Sequence, residues 1–141
     1  MINIHTPVPS GKYTPAVKVN GLIFTAGMTP RNNGKLILTG KVTMAQPIEF
    51  YKEAVQQAVS NCYMAAKSAL AENEKIDRAV EMTVMLNAEP DYLYHSKVAD
   101  FASEYLSELL GEKGICARAA IGLGSLPGEA PLEIQMIFSY I

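Results

Sequence analysis

The sequence has no tryptophan, two cysteines and two histidines, and it contains no apolar run long enough to cross a membrane. Cys62 and Cys116 lie far apart without a histidine at ligand spacing, so the sequence predicts no zinc site and no C-x-x-C redox pair. The first residues lack the basic start and apolar run of a signal peptide, which predicts a cytoplasmic protein with reduced thiols. We therefore expect any activity to work without a histidine-rich or metal-rich site.

An excess of positive charge is also missing. The 12 Lys and Arg residues face 14 Asp and Glu residues, and the net charge of −2 argues against a nucleic-acid partner. The 141 residues are 49% hydrophobic and 18% charged, which is ordinary for a compact protein. A chain of this length buries roughly 68–70% of its unfolded surface. We predict one domain over residues 1–141.

Short apolar segments and two amphipathic helices predict an α+β fold. Strands are expected at residues 16–20, 22–25, 35–38, 79–86, 116–123 and 132–140. Asn20-Gly21 tolerates positive φ and favours a tight hairpin between the first two strands. The predicted order is β-β-β-α-β-α-β-β, which gives a mixed sheet with both helices on one face.

Apolar residues at spacings of three and four predict the two helices. The first covers residues 47–71, with an alanine-rich stripe facing the core. The second is expected to be capped by Asp91 and to end at Gly111 or Gly114. Its predicted apolar stripe consists of Val98, Phe101, Tyr105 and Leu109.

The strands carry apolar residues on both faces, although two helices cover only one. In the fourth strand, Val80 and Met82 are expected on the helix-covered face and Met85 on the other. Apolar residues on an uncovered face favour burial in an oligomer. We predict a closed homo-oligomer, for which three-fold symmetry is geometrically reasonable.

Arg118 is the most informative charge, because it lies within an apolar strand and a buried guanidinium needs an anionic partner. Its planar fork suits a ligand carboxylate, but the local sequence alone favours an intrachain salt bridge or an outward-facing arginine. Glu133 in the last strand could orient water or hold a proton, could pair with Arg118, or could simply face solvent. Tyr13 could line a pocket or cover the core edge, and Gly27 could admit a ligand or serve a turn.

Five short segments of the sequence resemble the RidA/YjgF family of reactive-intermediate deaminases, once described as L-PSP endoribonucleases or translation inhibitors. The resemblance runs from about Gly11 to the C-terminus. It is carried by the segments Gly11-Lys12-Tyr13, Gly21-Leu-Ile-Phe-Thr-Ala-Gly27-Met-Thr-Pro30, Ala117-Arg118-Ala119-Ala120, Leu126-Pro127 and Leu132-Glu133-Ile134.

This resemblance implies a chorismate-mutase-like fold and a homotrimer with sites in the clefts between subunits. It implies that Arg118 holds a ligand carboxylate, that Tyr13 and Glu133 line the pocket, and that backbone groups near Gly27 and Ala120 complete it. Active members hydrolyse enamines and imines made from amino acids to 2-oxo acids and ammonia, without metal or cofactor. The implied ligand is therefore a small carboxylate or imine.

Two departures separate this chain from the best-known deaminases of the family. Those proteins have Ser-Cys after the arginine, where this chain has Ala119-Ala120, and the second-helix segment also differs. The sequence therefore leaves three hypotheses open. They are an imine deaminase, a non-catalytic trimer that binds small carboxylates, and an endoribonuclease, which the charge balance opposes.

Overall fold

The computed structural model describes residues 2–141 and confirms the predicted α+β fold. This part of the chain forms seven strands and two α-helices, with four strands before the first helix, one between the helices and two after the second. They are β1 (Ala16–Val19), β2 (Leu22–Thr25), β3 (Arg31–Asn32), β4 (Lys35–Leu36), α1 (Lys52–Ser68), β5 (Ile76–Asn87), α2 (His95–Leu110), β6 (Ala117–Leu123) and β7 (Leu132–Tyr140). Short 3-10 turns cover Ile48–Tyr51, Gly111–Gly114 and Pro127–Glu129.

The main sheet has five strands in the order β1-β2-β7-β5-β6. Strands β5 and β6 are parallel and are connected through α2, whereas β7 runs antiparallel to both β2 and β5. The predicted hairpin at Asn20-Gly21 is present, with φ of 49° and 82° at the two turn residues. Both helices pack on the same face of the sheet, as predicted.

The third predicted strand, at 35–38, is only partly correct. Lys35–Leu36 pairs with Arg31–Asn32 in a separate two-stranded hairpin that does not join the main sheet. Its turn is Asn33-Gly34, with φ of 53° and 79°. This hairpin is connected to β2 by residues 26–30, and Met28 within that connection pairs with Ile134 of β7.

The core lies between the sheet and the helices, and α1 supplies the alanine-rich stripe that the sequence predicted. Ala58, Cys62 and Ala65 are fully buried against strand residues such as Ile134 and Phe138. The helix is shorter than predicted, since its first turn, at Ile48–Tyr51, is a 3-10 turn. Among residues 2–141, no helix combines the length and the apolar character that a membrane span requires.

Two predicted details, the burial of Val80 and the cap of the second helix, are wrong. The register of β5 against β7 shifts between Ala79 and Glu81, and this irregularity turns Val80 outward so that it is 36% exposed. Helix α2 begins at His95, after a turn in which Asp91 has a φ of 68°, so Asp91 does not cap it.

The apolar stripe of α2 is rotated by about one position from the prediction. The buried residues are Val98, Ala99, Ala102 and Leu106, while Leu109 is 43% exposed. Small alanine side chains allow close approach to α1 and the sheet, which the larger aromatic residues would prevent.

The face of the sheet opposite the helices is uncovered within one chain, and several of its apolar side chains are exposed. Val17 and Phe24 are neighbours on β1 and β2, with 52% and 40% of their surfaces exposed. Ile121 on β6 is 44% exposed and stands in register with Met85. We refer to this uncovered surface as the open face.

Candidate functional site

Glu133 and Gly27 meet at the edge of the open face. Glu133 is in register with Met85 of β5, and Met85 is in register with Ile121 of β6. The backbone after β2 is fixed beside it, because Met28 N donates to Ile134 O at 2.7 Å and Ile134 N donates to Met28 O at 2.9 Å. Gly27 lies so close that a Cβ there would overlap Glu133 Oε2 and stand 2.9 Å from its Cδ.

The Glu133 carboxyl is partly buried, and this burial raises its pKa above the usual 4.5. No salt bridge within 4.0 Å joins it to a cation among the described residues. A carboxyl with a raised pKa and no paired cation holds a proton more readily than a solvated one, which suits a group that gives and takes protons.

Two adjoining cavities, each of about 380 Å³, open beside this carboxyl. Both are lined by Tyr13, Gly27 and Arg31, and Glu133 lines one of them. Tyr13 is 50% exposed, and its hydroxyl oxygen accepts a hydrogen bond from Ser10 N at 3.2 Å. The structure therefore brings together three of the predicted site residues, Tyr13, Gly27 and Glu133. We call these two adjoining spaces the edge cavity.

Arg31 is a member of the edge cavity that the sequence analysis did not single out. It lies on β3 immediately after Pro30, and its Nη1 donates to Gly34 O at 2.9 Å. No acidic side chain pairs with it among residues 2–141. Its position directly after the Gly27-to-Pro30 segment was the available signal, since that segment carries the family resemblance.

Buried amide side chains hold the wall of the edge cavity in place. Asn61 on α1 is 5% exposed, and its Nδ2 donates to Thr29 O at 3.1 Å and to Arg31 O at 3.0 Å. Gln57, one turn earlier, binds the backbone of Asn3 through both of its amide atoms. Helix α1 therefore fixes the backbone that carries Arg31 and the N-terminal segment that covers the cavity.

Arg118 lies on the opposite, helix-covered face of the sheet. It is in register with the buried Met82, and its guanidinium contacts α2. Nη1 donates to Asp100 Oδ1 and Ser103 Oγ, both at 2.9 Å, and Nη2 donates to Ser96 Oγ at 2.8 Å and to Ser96 O at 3.2 Å. Both terminal nitrogens of the guanidinium therefore have partners within the chain, all of them on α2.

Ala120 lies on the same face of the sheet as Arg118 and does not line the edge cavity. It is in register with Val84, whose side chain is fully buried on the helix-covered face. A single chain therefore separates the predicted residues into two groups. Tyr13, Gly27 and Glu133 line the edge cavity, whereas Arg118 and Ala120 lie across the sheet from Glu133.

The described residues contain no group of three or more His, Cys, Asp and Glu side chains arranged to hold a metal ion. His5 lines one half of the edge cavity, whereas the sequence analysis did not include it among the site residues. Fold and site together define a small α+β protein whose pocket places a carboxyl, a phenol and a guanidinium beside the end of β2 and the start of β7.

Comparison with known proteins identifies the family. The sequence model of the Endoribonuclease L-PSP family matches residues 3–139, so the chain belongs to that family, which is the one that the sequence resembled. A RutC family protein of Aquifex aeolicus is 28% identical over 131 residues, which cover 93% of this chain and 90% of that protein.

Solved structures agree with this assignment. The Atu1372 protein of Agrobacterium tumefaciens is similar with a TM-score of 0.84 and 29% identity, over 94% of this chain and 85% of that one. The YjgF gene product of E. coli shares the fold, with a TM-score of 0.72 and 18% identity, over 98% of this chain and 95% of that one.

Proposed function

We propose that the edge cavity hydrolyses imines and enamines derived from amino acids, releasing 2-oxo acids and ammonia. The observation that carries this proposal is the Glu133 carboxyl. It has a pKa raised by burial, stands against the Gly27 backbone, and shares a cavity with the Tyr13 hydroxyl. These groups are the general acid and base that such a hydrolysis requires.

The proposed reaction is the addition of water to a C=N bond. The ionised Glu133 accepts a proton from water while the water oxygen bonds to the imine carbon, and the imine nitrogen takes a proton from the Tyr13 hydroxyl. The resulting carbinolamine then collapses: the C–N bond breaks, Glu133 returns its proton to the departing nitrogen, and the carbinolamine hydroxyl restores the phenol. The products are a 2-oxo acid and ammonia, and no electrons are transferred.

The charges around the edge cavity suit a substrate with two different ends. The guanidinium of Arg31 provides positive charge, while Glu133 lies elsewhere in the lining and forms no ion pair with it. A 2-imino acid has a carboxylate at one end and a nitrogen-bearing carbon next to it. Such a molecule matches this polarity better than RNA does, because the chain carries a net charge of −2.

We further propose that the protein acts as a homotrimer assembled through the open face. The support is the exposed apolar surface of Val17, Phe24 and Ile121, which a closed oligomer would remove from water. In such an assembly Arg118 can reach a ligand only from a neighbouring subunit and only after releasing Asp100. A cytoplasmic location stays a prediction from the sequence.

The test is ammonia release from an imine that a separate enzyme forms in the assay. An amino-acid oxidase supplies 2-imino acids, whose uncatalysed hydrolysis gives the background rate. We expect the wild-type protein to accelerate release and Glu133→Gln to lose most of the acceleration, by roughly 10²-fold or more. Glu108→Gln, at an exposed position on α2, is the matched control and should retain full activity.

Several imines should be tried, since the proposal names a class and not one substrate. Hydrolysis at the background rate for all of them, with properly folded protein, would refute the enzyme proposal. Binding of small carboxylates without turnover would instead favour the non-catalytic trimer. Cleavage of RNA by rigorously purified protein, lost in Glu133→Gln, would favour the endoribonuclease.

A further inference from the structure

We infer that the backbone N–H of Ser10 and the side chain of Asn3 are positioning groups for Tyr13, because they hold the N-terminal segment across the edge cavity and fix the Tyr13 hydroxyl at its end. The inference rests on the proposed function in one respect, namely that Tyr13 gives up a proton during the reaction. It assigns a role to residues that precede the part of the chain that carries the family resemblance. We call residues 3–10 the N-terminal strap.

Most of the N-terminal strap faces the edge cavity. The strap residues that line one half of the cavity are Asn3, His5, Thr6, Pro7, Val8 and Ser10. The strap contains neither a helix nor a strand, although its two prolines restrict the backbone. A segment without regular secondary structure keeps its place only where other contacts fix it. The structure shows such contacts at both ends of the strap.

Asn3 fixes the first end. Asn3 N donates to Gln57 Oε1 at 2.8 Å, and Gln57 Nε2 donates to Asn3 O at 3.0 Å. The side-chain Nδ2 of Asn3 donates to Asn32 Oδ1 at 2.8 Å and to Asn33 Oδ1 at 3.0 Å, while its Oδ1 accepts a hydrogen bond from His5 N at 2.8 Å. Asn3 therefore connects the strap both to α1 and to the hairpin of β3 and β4.

The anchor on α1 is buried within a single subunit. Gln57 is fully buried, and its Nε2 also donates to Asn61 Oδ1 at 2.9 Å. Asn61 in turn donates to Thr29 O and Arg31 O, so a continuous network of amides joins the strap to the wall of the edge cavity. Because α1 packs on the face opposite the open face, assembly through the open face leaves this network in place.

Ser10 fixes the second end of the strap on Tyr13. Ser10 N donates to Tyr13 Oη at 3.2 Å, and Ser10 Oγ lies 3.3 Å from the same oxygen. A backbone N–H can only donate, so the phenol oxygen accepts this bond and keeps its own hydrogen for Ser10 Oγ or for a ligand. This arrangement suits a hydroxyl that gives a proton to a substrate.

The hydrogen bond from Ser10 N becomes stronger in the proposed reaction. When Tyr13 gives its proton to the imine nitrogen, its oxygen becomes a phenolate, and hydrogen bonds to an ionised acceptor are roughly twice as strong as neutral ones. A donor that is already in place needs no reorganisation at that moment. An interaction that strengthens in the transition state raises kcat and leaves KM nearly unchanged.

The test is steady-state hydrolysis of an oxidase-generated imine by Ser10→Pro and Ser10→Ala. Proline removes the N–H at this exposed position, whereas alanine keeps the N–H and lacks only Oγ. We expect kcat of Ser10→Pro to fall by roughly tenfold to a hundredfold, with KM within about threefold of wild type, and kcat of Ser10→Ala to fall far less. An equal loss in both variants, or a wild-type kcat in folded Ser10→Pro, would overturn the inference.

Asn3→Ala tests the other end of the strap, and it serves as the test if Ser10→Pro is misfolded. It removes the bonds to Asn32 and Asn33 and should lower kcat by about threefold or more. Ile4→Ala is the matched control, because Ile4 is 64% exposed and lines neither half of the cavity, and it should keep wild-type kcat. A wild-type kcat in Asn3→Ala would contradict the anchoring role of Asn3.

A measurement without turnover separates this inference from the proposed function. Fluorine NMR of protein labelled with 3-fluorotyrosine reports the surroundings of the Tyr13 ring, and Tyr13→Phe identifies its resonance. This resonance should move towards that of free 3-fluorotyrosine in Ser10→Pro and Asn3→Ala but not in Ile4→Ala, and an unmoved resonance in both variants would overturn the inference. If the resonance moves while the wild type hydrolyses no imine, the positioning of Tyr13 stands and the enzyme proposal fails. If both variants hydrolyse imines at the wild-type rate, the enzyme proposal stands and the inference fails.

Discussion

Gly27→Ala is the substitution that most selectively displaces the proposed catalytic carboxyl. An alanine Cβ at this position would overlap Glu133 Oε2 and lie 2.9 Å from its Cδ and 3.2 Å from its Cγ. The obstructing atoms are the far end of a flexible side chain, so Glu133 rotates away while the backbone stays in place. The charge of the protein is unchanged.

The expected costs of this change are very different for folding and for catalysis. Moving one side chain away from its preferred rotamer costs about 0.5–1.5 kcal/mol, so the protein should remain folded. Removing a positioned acid or base lowers turnover by about 10²-fold to 10⁴-fold. A displaced and better solvated Glu133 should also have a pKa closer to its usual 4.5.

The assay is ammonia release from imines supplied by an amino-acid oxidase, with urea denaturation measured on the same samples. Gly124→Ala is the matched control, because no atom lies within 4 Å of a Cβ built at Gly124. The control should retain activity. The reasoning is refuted if Gly27→Ala keeps wild-type turnover, or if its turnover falls only in proportion to the fraction of unfolded protein.

Four further predictions concern Glu133 and other parts of the molecule. Because burial raises the pKa of Glu133, the folded state holds that proton more tightly than the unfolded chain. Stability should therefore fall as the pH rises from about 4.5 through the folded-state pKa. Thermal melts at several pH values should show this decrease in wild type and not in Glu133→Gln, and an equal dependence of stability on pH in both proteins would contradict it. Burial raises the pKa of the Cys62 thiol to about 12. Iodoacetamide, followed by mass spectrometry, should therefore label Cys116 alone in the native protein and both cysteines in denaturant, and labelling of Cys62 in the native protein would count against its burial. Arg118→Met should lower the free energy of unfolding by roughly 1–3 kcal/mol, because β6 loses its hydrogen bonds to α2. Urea denaturation measures this change, and an unchanged unfolding midpoint would contradict a structural role for Arg118. Phe24→Asp should dissociate the proposed trimer, so that light scattering falls from three times the 15.3 kDa chain mass to that mass, and a wild-type monomer would refute the assembly.

The elements were predictable where short-range chemistry decides them. Asn20-Gly21 dictates a hairpin because both residues tolerate positive φ, and the alternation of Leu132 to Tyr140 gives the full length of β7. The Ala-rich stripe of α1 was equally clear. These signals depend on a residue and its neighbours, and no other part of the chain overrides them.

The errors arose where distant segments decide the outcome. The register irregularity that exposes Val80 depends on how β5 meets β7, which its own alternation does not reveal. The rotation of α2 depends on close packing against α1, which favours Ala99 and Ala102 over the larger Phe101. The prediction of a sheet strand at 35–38 is wrong because the local sequence does not distinguish a strand of the main sheet from a two-residue arm of a separate hairpin.

The candidate site shows the same division. Tyr13, Gly27 and Glu133 were named from the sequence, and the structure places them around one cavity. The strand sequence around Arg118 does not predict which face of the sheet it lies on or which groups its guanidinium binds. Its partner Asp100 is 18 residues away on a helix. Arg31 was missed because its local sequence is that of a turn, and its access to the cavity depends on the hairpin's position beside the sheet.

The most direct test of the central claim is a crystal structure of the protein with pyruvate bound. The account predicts pyruvate in the edge cavity, with its carbonyl carbon facing Glu133 and the Tyr13 hydroxyl. Pyruvate bound away from both Tyr13 and Glu133 would contradict the site itself.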